Sequence, residues 1–142
     1  MPVPTTTPSP TVAPPTMRPL PGTDFMLDQV EATQEDARVP AFRFAAAHIA
    51  GEGEDFSFTL PEGTWLVRVS CATDASDTVD ATLDFADGRP SVEYQAYCGE
   101  TPPSGIVTVT TQSPEFAAGG AVTLRLESDA RFVAAAGLVQ VG

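Results

Sequence analysis

From Phe42 to Val141, apolar and polar residues alternate with a period of two. No other feature constrains the fold as much. Phe42, Phe44 and Ala46 alternate with Arg43 and Ala45, and Phe56, Phe58 and Leu60 with Ser57 and Thr59. Trp65, Val67, Val69 and Cys71 alternate with Leu66, Arg68 and Ser70. Val79, Ala81, Leu83 and Phe85 alternate with Asp80, Thr82 and Asp84, and Val92, Tyr94, Ala96 and Cys98 with Glu93, Gln95 and Tyr97. Shorter runs follow at Val107–Thr110 and Val122–Glu127, with a last one from Phe132 to Val141. Neighbouring side chains on a strand point to opposite faces, so each run predicts a strand with one apolar face. Runs recurring every ~8–12 residues predict an antiparallel β-sandwich, Ig-like or jelly-roll, of about seven to nine strands. The stretch DFMLDQVEATQEDA (24–37) is poorly periodic; Phe25, Leu27 and Gln29 suggest a first strand there.

The breaks between runs carry turn chemistry. Leu60-Pro61-Glu62-Gly63 suits a tight turn, with proline presetting φ and glycine free to take positive φ. Asp87-Gly88 between two alternating runs is a hairpin signal. Gly119-Gly120 is expected to separate the last strand pair, and Pro102-Pro103 to mark a crossing loop, since proline is excluded from central strands.

Cys71 and Cys98 are the two cysteines, and each has the inward parity of its own strand. Two inward thiols on neighbouring or facing strands reach disulfide geometry, so a Cys71–Cys98 bridge is expected. The chain-entropy model values a loop of that size at about 3.5 kcal/mol.

The first 22 residues differ from the rest. They hold eight prolines, five threonines and a single charge, Arg18. Proline fixes φ and removes donors, so this stretch is expected to be an extended arm ahead of a domain spanning 23–142. The arm is the expected attachment element, through Pro2, Pro4, Pro8, Pro10, Pro14, Pro15, Arg18, Pro19 and Pro21. Met1 is followed by proline and threonine rather than by a basic and then apolar leader, so no signal peptide is expected as written.

All 19 acidic residues follow residue 22, with six of the seven arginines, giving the domain 6 − 19 = −13. Such a charge repels phosphates and anionic lipids, which argues against nucleic-acid binding. No apolar run reaches the ~18–20 residues of a membrane span, so membrane insertion is not expected either. The expected partners are proteins, including a protein lattice, and a homo-oligomer is compatible with the sequence. Arg43, Arg68 and Arg125 have outward parity and are the expected charged contact residues; Tyr97, also outward, is the aromatic one. The chain has no Lys or Asn and only two Ile, a composition typical of GC-rich coding sequence.

Signs of catalysis are sparse. The single histidine, His48, has no activating motif around it, and two cysteines 27 residues apart do not make a zinc site. Asp74, Asp77 and Asp80, and Glu52, Glu54 and Asp55, are loop carboxylates without EF-hand order and read as solvated acidic loops. Trp65 has core parity, not that of a sugar platform. No enzyme activity, cofactor or metal is expected.

In layout, with MPVPTTTPSP as an arm ahead of the runs from Phe42 to Val141, the chain resembles small phage virion proteins, the head-decoration or minor structural β-sandwich proteins. That resemblance implies a non-enzymatic protein attached by its arm to a capsid or tail lattice, located in the virion. A Thr/Pro tether before a β domain with two cysteines, in TWLVRVSCA and SVEYQAYCG, also resembles secreted lipoproteins of high-GC Gram-positive bacteria. This second resemblance implies an extracellular or surface domain binding a protein or a small ligand.

Overall fold

A computed structural model describes residues 20–31, 33, 35–49, 51–73, 78–98 and 108–141. Among these residues one short helix, α1 (Thr23–Gln29), precedes seven strands. They are β1 (Phe42–His48), β2 (Gly53–Thr73), β3 (Thr78–Phe85), β4 (Val92–Tyr97), β5 (Val109–Gln112), β6 (Phe116–Glu127) and β7 (Phe132–Gln140). Every strand pair is antiparallel, and the fold is all-β and sandwich-like, as the alternation predicts. The hydrogen-bonded order is β1-β7-β2-β6-β3-β4, with β5 on β2.

β2 belongs to both layers. Its first half, Gly53–Trp65, pairs with β6; its second half, Trp65–Thr73, lies between β7 and β5. One layer is therefore β1, β7, the end of β2 and β5. The other is the start of β2, β6, β3 and β4. The expected turn at Leu60–Gly63 is instead a bulge within this continuous strand. Leu60 faces Gly120 and Gly63 faces Ala118, so Pro61 and Glu62 together oppose Gly119. A bulge leaves a residue unpaired, which accommodates the missing proline N–H and bends the strand. Trp65 Nε1 donates to the Pro61 carbonyl at 3.0 Å across the bend.

Gly119-Gly120, expected to separate strands, lies inside β6 at the same corner. Gly120 has φ +85°, and a Cβ on Gly119 would stand 2.8 Å from Glu62 Cα. The two breaks read from sequence are the two sides of one bend. The Asp87-Gly88 hairpin joins β3 to β4 as expected, with Gly88 at φ +88°. Pro102-Pro103 lies outside the described residues.

The inter-sheet core contains Trp65, Val67, Val69 and Cys71 with Leu83, Leu124, Leu126, Phe132 and Leu138. The predicted inward parity of β2, β3 and β6 is the observed one. A second cluster lies on the other face of the first layer. There Met26 and Val30 pack on Ala72, Val133 and Ala135, with Leu20, Leu27 and Ala45 beside them. This corrects the strand expected near residue 25. The buried residues are four apart, the spacing of one helical face, while Phe25 is exposed.

Candidate interaction surface

The outward-facing residues of the two layers meet different surroundings. Arg68 points away from the inter-sheet core, as its parity requires, yet it is 0 % exposed. The segment after α1 lies over it. Its guanidinium donates to the carbonyls of Val30 (2.8 Å), Glu31 (3.1 Å) and Arg38 (2.9 Å) and to Gln112 Oε1 (2.7 Å). It also pairs with Asp36 at 3.3 Å. The expectation that Arg68 bridges to a partner is therefore overturned: it ties the N-terminal segment to β2. Burial pulls its guanidinium below the ordinary arginine value, opposed by the Asp36 charge. Asp36 is held well below the usual carboxylate range, first by side-chain and backbone hydrogen bonds from Arg38 and then by the Arg38 and Arg68 charges.

The other outward arginines remain partly exposed and already paired. Arg43 Nη1 lies 2.6 Å from Glu31 Oε1. Arg125 reaches Asp55 at 3.0 Å and Glu127 at 3.5 Å, and those pairs raise its pKa. Tyr97, at the end of β4, is 51 % exposed. Cys71 and Cys98 form the expected disulfide, with Cα atoms 5.2 Å apart. It ties the end of β2 in one layer to the residue just past β4 in the other.

His48 closes β1 with its Nε2 2.8 Å from Glu54 Oε1 and its Nδ1 3.6 Å from Glu52. Its ring centroid is 6.1 Å from that of Phe132. Two carboxylates and an aromatic neighbour orient this ring. Among the described residues, no group of three or more His, Cys, Asp or Glu is placed to hold a metal ion. Asp74 and Asp77 lie outside the described residues, as do Pro2, Pro4, Pro8, Pro10, Pro14, Pro15, Arg18 and Pro19 of the arm.

The feature missed by sequence reasoning is the edge formed by β1. Among the described residues β1 pairs with β7 alone, so its other edge carries no strand. Phe42 and Phe44 pack from it onto the other layer. Phe44 lies 5.0 Å from Phe56 and 4.8 Å from Phe58, and Phe42 lies 5.2 Å from Phe58, measured between ring centroids. This aromatic seam closes the side of the sandwich where β1 and the start of β2 meet. Val39 and Ile49 flank β1, at 62 % and 61 % exposure the two most exposed large apolar residues described. An open groove of about 450 Å³ at the His48 end is lined by Leu20, Pro21, Ala47, Ile49 and Val133. The point where the arm joins the domain is thus also the end of the open edge. Alternation reveals faces, not edges; only strand order shows that β1 is terminal among the described strands.

No family model matches the chain, and no curated protein matches its sequence.

Proposed function

We propose that this protein is a non-enzymatic interaction module, an acidic β-sandwich attached to a protein assembly through its N-terminal arm. The observation that carries this reading is a coincidence of place. The arm enters at Leu20 and Pro21, in the groove that ends the open β1 edge between exposed Val39 and Ile49. Exposed strand edges template pairing with another chain, and natural proteins usually guard them with charge, proline or a cover. β1, FRFAAAH, contains no proline, and its arginine is tied back to Glu31.

Two settings fit such a module. The layout of arm and sandwich supports a decoration or minor structural protein on a capsid or tail lattice. The Cys71–Cys98 bridge favours the other, an exported surface domain binding a protein or small ligand, because structural disulfides persist in oxidising compartments. Deleting residues 1–19 keeps Leu20, which packs against the second core cluster, and should leave a folded domain that no longer binds its assembly. Undiminished occupancy on particles or cells after that deletion refutes attachment by the arm. Fractionation of producing cells decides the setting: co-sedimentation with assembled particles supports the virion, and protease-accessible protein on intact cells supports the surface domain.

A further inference from the structure

The arm and the β1 edge are complementary in a way that composition alone does not reveal. Between residues 2 and 14 every proline occupies an even position: Pro2, Pro4, Pro8, Pro10 and Pro14. The odd positions, Val3, Thr5, Thr7, Ser9, Thr11 and Ala13, all keep their N–H groups. In an extended strand, alternate residues direct their backbone hydrogen-bonding groups to opposite edges. One edge of this segment is therefore donor-complete, and the other carries every proline. That is the pattern a strand needs to be added at the rim of a sheet, with proline facing solvent. The added strand would also tend to end the sheet, because its outer edge keeps only the Thr6 and Val12 donors for another. Pro15 breaks the parity and sets the limit of pairing.

We propose that residues 2–14 of one copy add as an edge strand to β1 of a second copy. β1 offers seven residues, so about half of the segment is enough to fill it. Direction favours a second copy over the chain's own β1. The arm enters the domain at the His48 end of β1, so running back along its own β1 it would lie parallel. Parallel pairing is slightly less stable per residue, and every strand pair in this sheet is antiparallel. In two copies related by a two-fold axis, with β1 edges facing, the arm origin of each lies near the Phe42 end of the other. Each arm then enters antiparallel, and the exchange is reciprocal. Charge agrees: residues 2–17 carry no charged side chain, so this segment can approach a domain of 6 − 19 = −13 without adding repulsion.

This contact goes beyond attachment to a foreign assembly and is tested without one. Full-length wild type, an odd-position variant (Thr7→Pro with Thr11→Pro) and an even-position variant (Thr6→Pro with Val12→Pro) are compared by sedimentation velocity. Hydrogen exchange of β1 amides is followed in parallel. Wild type and the even variant should self-associate with slow β1 exchange. The odd variant should dissociate at least tenfold more readily and exchange fast in β1. Equal behaviour of the two variants overturns the proposal, as does a monomeric wild type. A monomer whose β1 protection still depends on proline parity would assign the edge to the chain's own arm and overturn the second copy as its source.

Discussion

Arg68 and Arg125 occupy equivalent outward positions in the two layers and have opposite surroundings. Arg125 lies in a row with Asp55, Thr82 and Glu93 across a face that meets water. Arg68 is roofed by the chain that follows α1 and donates to four of its backbone carbonyls. The centre of the first layer, β7 and the end of β2, is thus covered on both sides, and the second layer on one. The difference explains β7, whose residues Phe132–Val139 are all buried in spite of an alternating fold. Parity decides which side a residue takes. What covers that side is decided by a segment far away in sequence.

The sharpest way to break this comparison is Arg68→Ala. It leaves the carbonyls of Val30, Glu31 and Arg38 without their buried donor and Asp36 with Arg38 as its remaining ion-pair partner. Breaking a buried ion pair from one side costs about 3–5 kcal/mol. Chemical denaturation should show that loss, with hydrogen exchange rising first in residues 30–38; a smaller loss than for Met26→Ala would mean the roof does not depend on this arginine. Replacing both Cys71 and Cys98 by alanine should cost about 3.5 kcal/mol, because the bridge is the one disulfide cross-link between layers among the described residues. Unchanged melting under oxidising conditions would show that packing alone joins the layers. Met26→Ala empties the centre of the roof and should cost about 2–3 kcal/mol, toward the low end for large-to-small core substitutions because a short helix can settle into the space.

Acid separates the layers more gently. Asp36 has a depressed pKa in the folded protein and returns to about 3.9 when unfolded. Its stabilisation is therefore complete above that value and is lost as pH falls below about 4 toward the folded pKa. Urea midpoints measured between pH 5 and pH 2.5 should fall, and Asp36→Asn should flatten the slope. Asp87, lowered by hydrogen bonds from Arg89, keeps the slope from vanishing. A slope identical in wild type and Asp36→Asn would place the acid sensitivity elsewhere. The smallest effect belongs to Arg125→Ala, which loses only exposed pairs and should leave the melting curve unchanged within error.

Most strands were legible because burial of one face imposes a period of two, which β3 and β4 keep over their length, while the end of β2 is buried on both faces. The disulfide was legible for the same reason: shared inward parity put both thiols in one core. α1 was not, because its buried pair, Met26 and Val30, is interleaved with Phe25, Leu27 and Gln29, whose spacing fits a strand as well. The corner at Pro61 and Gly119 was visible as two breaks, but a turn and a bulge use the same residues. Only the register, with two residues opposite one, distinguishes them.

By itself, then, the sequence determined an all-β sandwich, the faces of its strands, the Cys71–Cys98 bridge and a proline-rich lead with one charge, Arg18, into an acidic domain. These follow from local chemistry: side-chain alternation, proline's missing donor, and the count of charges. Tertiary structure alone decided that β2 serves both layers, that Arg68 is buried under residues 30–38, and that β1 ends the sheet among the described residues. Each of these depends on pairing between segments distant in the chain. Period-two patterning is blind to such pairing, because a strand has the same alternation at the centre of a sheet as at its edge.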